Sequence, residues 1–135
     1  MRRHTINAAG TPSAIVMRYS FTNSSGSLCG GYVTRASEFQ FGSLPQQFVV
    51  RYKNACTDKS TYVVWSYMTP IAWHTIDDDG NRTWTAPDHF YGSTTQRHQA
   101  LVRQAIDREN DAAVQYGYAK SVIVTNCEPT LCEGK

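Results

Sequence analysis

Long hydrophobic runs, an excess of either charge and the short signatures of known catalytic chemistries are all missing from this 135-residue chain, and each absence narrows its function. No stretch approaches the roughly eighteen apolar residues of a membrane span. A formal net charge of +2 is too small to mark a polyanion partner. Arg18, Arg35, Arg51, Lys53, Arg97, Arg103 and Arg108 are spread along the chain rather than clustered, so nucleic-acid binding is permitted but not indicated. There is no glycine-rich phosphate loop, no nucleophile elbow and no zinc-protease helix motif.

The basic start Met1-Arg2-Arg3-His4-Thr5 runs into Asn7, Gly10, Thr11 and Pro12 rather than an apolar segment, so a secretory signal is not expected. A cytoplasmic protein without a membrane partner is the resulting expectation. In that compartment Cys29, Cys56, Cys127 and Cys132 read as free thiols. Four residues separate Cys127 from Cys132, and the other two supply no second knuckle, so neither a structural metal nor a cofactor is expected.

What is present in quantity is aromatic: eight Tyr, five Phe and three Trp, mostly between residues 19 and 91, where they favour strands. The expected fold is a single α+β domain at residues 14–125, between a flexible arm at 1–13 and a flexible tail at 126–135. An antiparallel sheet of about four to six strands should carry one main helix, from the C-terminal half, on one face. Candidate strands are 14–21, 32–41, 46–53, where Phe48, Val50 and Tyr52 alternate, 61–67, 71–76 and 82–86, with 121–125 as a short addition. The 61–67 strand should form a hairpin with the one before it. Pro70 implies a tight corner or an edge bulge after it, and an exposed strand there leaves a homodimer open. Asp77-Asp78-Asp79-Gly80-Asn81 reads as a hairpin turn rather than a calcium loop.

Ser93-Thr94-Thr95-Gln96 fits a capping box ahead of an amphipathic helix, with a break conceivable at Asn110-Asp111 and an end near Gly117. At 100° per residue His98 falls near the centre of the apolar face defined by Leu101, Val102, Ala105 and Ile106. A buried imidazole needs polar partners, and Ser66, Thr69 and Thr75 are available on the preceding strands. A core histidine joining helix to sheet is the plainer reading; a general base in a small hydrolase or transferase is the sharper one. Thr94, Thr95 and Arg97 at the helix start could hold a phosphate or carboxylate. Trp65, Tyr67, Trp73, Trp84 and Tyr91 either pack the core or form a platform for bases or a partner.

The run Ser66-Tyr67-Met68-Thr69-Pro70-Ile71-Ala72-Trp73, followed by Trp84, Tyr91 and Thr94-Thr95-Gln96-Arg97-His98-Gln99, resembles a pattern in small uncharacterised bacteriophage proteins. The likeness covers roughly residues 47–106. It implies an accessory protein made in the bacterial cytoplasm, and it carries no activity. Together these readings favour a non-enzymatic protein that binds a host or phage macromolecule, most simply another protein. Ser66, Tyr67, Thr69, Trp73, Trp84, Tyr91, Thr94, Thr95, Arg97 and His98 are the candidate contact residues.

Overall fold

A computed structural model describes residues 4–33, 41–56 and 61–126. Among these the chain forms β1 (His4–Thr5), a 3-10 turn (Ala8–Gly10), α1 (Thr11–Val16), β2 (Phe21–Thr22), β3 (Leu28–Tyr32), α2 (Gln46–Ala55), β4 (Tyr62–Ser66), β5 (Thr69–Ile76), β6 (Arg82–Thr85), α3 (Ser93–Tyr116) and β7 (Val122–Val124). The seven strands lie side by side in chain order. The architecture is α+β as expected, but the sheet has more strands than four to six and is mixed. The central pairs are antiparallel, while β1·β2 and β6·β7 are parallel. Each parallel pair is joined through a helix, as a parallel connection demands.

Alternation along the central strands sends side chains to two separate cores. Tyr62, Val64, Ile71 and Trp84 pack with Ala14 and Ile15 of α1 and Val102, Ala105 and Ile106 of α3. Val63, Trp65 and Trp73 pack on the opposite side with Phe48 and Tyr52 of α2. Helices therefore cover both faces, where one covered face was expected. The strand expected at 46–53 is this second helix. Phe48 and Tyr52 stand four residues apart and so satisfy a helical stripe as well as an alternating one, and Val50, the residue that alternation adds, is exposed.

The strand expected at 14–21 is α1 and the turn behind it. Pro12 lies in the first helical turn, where its missing N–H costs nothing. Arg18, at φ 56°, ends the helix. The segment 1–13, read as an arm, contributes His4 and Thr5 to the sheet and buries Thr11 and Pro12. A strand runs from Leu28 to Tyr32, with Gly30 and Gly31 inside it, and most of the strand expected at 32–41 falls outside the described residues. Gly30 is required there, because a Cβ would collide with the Phe21 ring and the Tyr62 hydroxyl. Residues 34–40, Cys127 and Cys132 lie outside the described residues; Cys29 is half-buried and Cys56 buried.

Strand β4 pairs with β3 and β5, not with the 46–53 segment. The Asp77–Asn81 turn forms as expected, with Gly80 at φ 84° and Asp77 Oδ1 accepting from the Asp79 and Asn81 amides. The capping box does not form. Gly92 occupies the N-cap and makes no side-chain hydrogen bond. The helix continues through Asn110-Asp111 for 24 residues and ends at Gly117 in the left-handed conformation.

The hairpin tip and the histidine beneath it

Between β4 and β5 the chain reverses in two residues, with Ser66 opposite Thr69. Tyr67 has φ 48° and Met68 φ 69°. Positive φ at both central positions is the hairpin geometry that ordinarily calls for Asn-Gly. Here it carries two bulky residues that are 57% and 60% exposed. Of the alternatives expected around Pro70 the tight corner forms; the register also shifts between Val64 and Trp65, but on an interior pair of strands rather than at a sheet edge.

The tip is held from three directions. Tyr67 N donates to Ser27 O at 2.8 Å, tying it to the loop before β3. Ser43 N donates to Thr69 Oγ1 at 2.8 Å. That second contact needs Gly42, at φ 50°, since a Cβ there would overlap Thr69 Oγ1, Thr69 Cα and the Met68 carbonyl. The stretch of β5 beside Pro70 is thus occupied by Gly42 and Ser43 rather than open for another strand.

From beneath, Ser66 Oγ lies 2.7 Å from His98 Nδ1 and 2.9 Å from Thr95 Oγ1. All three residues are buried. Burial, assisted by the neighbouring Arg97 charge, holds the His98 pKa below its usual value, so the ring is neutral at physiological pH. Its face is tilted 31° from the Tyr67 ring at a centroid distance of 6.1 Å. The sequence placed His98 at the centre of the buried stripe and named Ser66 among its partners, and the geometry agrees on both. The serine-to-histidine distance suits general-base catalysis. However, Ser66 is 1% exposed under α3, where a substrate cannot meet it, so the arrangement is that of a structural lock.

The remaining candidates divide by burial. Trp73 and Trp84 are enclosed in the two cores, and Trp65 packs with Trp73. Tyr91 is half-buried against the α3-side core, with its ring 4.7 Å from that of His89. Arg97 is exposed and lines a groove of about 500 Å³ with Asp88, Phe90, Gln96 and Arg103. Gln99 fixes the opposite wall by donating to the Pro87 and His89 carbonyls. Among the described residues no cluster of His, Cys, Asp and Glu is arranged to hold a metal ion, and no helix is long and apolar enough to cross a membrane.

A second, partly buried polar group escaped the sequence reading. Glu109 accepts from Arg18 at 2.7 Å, from Ser121 Oγ at 3.0 Å and from Trp84 Nε1 at 3.3 Å. The Arg18 guanidinium also lies 5.0 Å from the centroid of the Trp84 ring. Burial pushes the Glu109 pKa up, but Arg18 and Ser121 more than offset this and hold it low. His74 Nε2 is 4.0 Å away, too far to hydrogen-bond, and has no hydrogen-bond partner among the described residues, while its ring packs edge-on against Trp84 at 5.0 Å. Burial, helped by Arg18, lowers the His74 pKa to about 4 and keeps it neutral. Glu109 follows His98 by eleven residues, which returns it to the same helix face; that spacing was the available signal.

Fold and site together define a three-layer α+β protein whose long helix is tied to the rest of the fold by a buried polar cluster near its start and a partly buried one at Glu109, with an exposed hairpin tip beside the first. The family model of DUF8033, a family of unknown function, matches residues 40–121, more than half of the chain, and the protein belongs to that family. No curated protein and no solved structure matches it. The matched region contains the whole hairpin, its Gly42-Ser43 support and the Thr95–His98 lock.

Proposed function

We propose that this protein is a non-enzymatic accessory protein that binds a protein partner through the Tyr67–Met68 tip. The observation that carries this reading is the tip itself. Two non-glycine residues in a conformation costing about 1–2 kcal/mol each are kept there by contacts from three sides, with both side chains facing solvent. A turn needed only to reverse the chain would be served better by Asn-Gly. A preorganised aromatic and methionine pair loses little entropy on contact, which is what a small anchor site requires. The resemblance to bacteriophage proteins supports action in the bacterial cytoplasm on a host or phage macromolecule. In capture from bacterial lysate at mild salt, the wild type is expected to retain a partner that a Tyr67→Asn/Met68→Gly variant loses. No wild-type capture above background, or equal capture by the variant, would refute the reading.

The groove beside Arg97 favours a second reading, nucleotide or single-stranded nucleic-acid binding, with Phe90 as a stacking surface. Such binding would weaken steeply with salt. A flat salt response in mobility-shift titrations removes it.

A further inference from the structure

The sheet has two edges, and they differ. β1 is two residues long, polar and exposed. β7 is Val-Ile-Val, with Val122 59% and Ile123 45% exposed. Residues 121–126, Ser-Val-Ile-Val-Thr-Asn, contain no charge and no proline, the usual devices that keep an edge from pairing. Asn110 takes both backbone groups of Ser121, and among the described residues none hydrogen-bonds to the outer edge of Val122–Val124.

The register says which groups are open. Trp84 pairs with Ile123 and Ala86 N donates to Val124 O, so the parallel ladder uses the backbone of Val122 and Val124. The N–H and C=O of Ile123 point away from β6. Beside them lies a depression of about 330 Å³ lined by Ala86, Ile106 and Ile123, with Arg103, Asp88 and Asp107 around it.

We propose that β7 is the interface between two copies of this chain, paired antiparallel about a two-fold axis at Ile123. On that axis the two Ile123 residues exchange both hydrogen bonds, which is the close pair of an antiparallel ladder. The two isoleucine side chains then meet beside the Ile106 depressions. The rim carries both charge signs: Arg103 lies 3.7 Å from Asp88 of its own chain and Asp107 is exposed beside them, so Arg103 of one copy can face Asp107 of the other, as an isologous contact requires. A partner of one sign would meet repulsion there. The short polar β1 makes a poor complement to β7, which disfavours head-to-tail growth into filaments.

Sedimentation equilibrium over a concentration series is the test, using the full chain. The wild type should approach twice the chain mass, and Ile123→Lys, which puts two ammonium groups on the axis, should sediment as a monomer with an unchanged circular dichroism spectrum. Val122→Lys gives an independent check should Ile123→Lys fold poorly. It alters an exposed side chain beside the axis and should raise the dimer dissociation constant at least tenfold. A wild type that stays monomeric throughout, or a dimer unaffected in both folded variants, overturns the proposal.

Discussion

Replacing Tyr67-Met68 by Asn-Gly should make the protein more stable, although it removes two large side chains. Each residue now sits at positive φ, at about 1–2 kcal/mol apiece. Asparagine tolerates that region and glycine occupies it freely, while glycine costs about 0.5–1 kcal/mol of extra unfolded-state entropy. Both side chains are more than half exposed, so little apolar burial is lost, and the Tyr67–His98 ring contact is loose at 6.1 Å. The balance is a gain of about 1–2 kcal/mol. For a chain of this size that raises Tm by about 3–6 °C. Thermal unfolding by circular dichroism, with urea titrations at one temperature, measures it. A variant that melts below the wild type would show that the tip side chains stabilise the fold, and the argument from stored strain would fail.

Three further outcomes follow from the two histidines and from the brace on the tip. Unfolded His74 titrates near its ordinary 6.5 and the folded ring near 4, so between those values the unfolded chain binds the extra proton. Stability should therefore fall by something on the order of 3 kcal/mol as pH drops through this window. Lowered His98 acts in the same direction, and urea midpoints for His74→Gln should show a flatter pH slope. Gly42→Ala should lose about 2–3 kcal/mol in urea unfolding, because its Cβ meets backbone at Thr69 and Met68 and its φ is strained; an unchanged midpoint would mean that the loop does not brace the tip. His98→Gln should lower Tm by several degrees through the lost Ser66 bond and altered packing, and a wild-type Tm would reopen a chemical role for the imidazole.

The middle of the chain was legible because its signals are local. Tyr62–Ser66, Thr69–Ile76 and Arg82–Thr85 are dense in β-branched and aromatic residues separated by turn chemistry, and the α3 stripe is long enough to fix its own phase. That phase gave His98. The segment at 46–53 failed because Phe48 and Tyr52 suit either period, and the sheet's need for cover on its second face decided between them. The parallel pairing at the two margins could not be read: β1 and β2 are two residues long, and β7, although expected as a short strand at 121–125, owes its pairing to a crossover defined only in three dimensions. Glu109 was missed for a related reason: its Arg18 partner stands ninety-one residues earlier, in the turn that ends a helix read as part of a strand.

A sheet ordered as its chain is ordered keeps its two ends apart. Six interstrand spacings of about 4.8 Å put β1 and β7 about 29 Å from one another. A segment running straight from β1 to β7 would need at least about nine extended residues. For the same reason, labels attached just before β1 and just after β7 would report opposite margins of the molecule, an arrangement suited to distance measurements across the sheet.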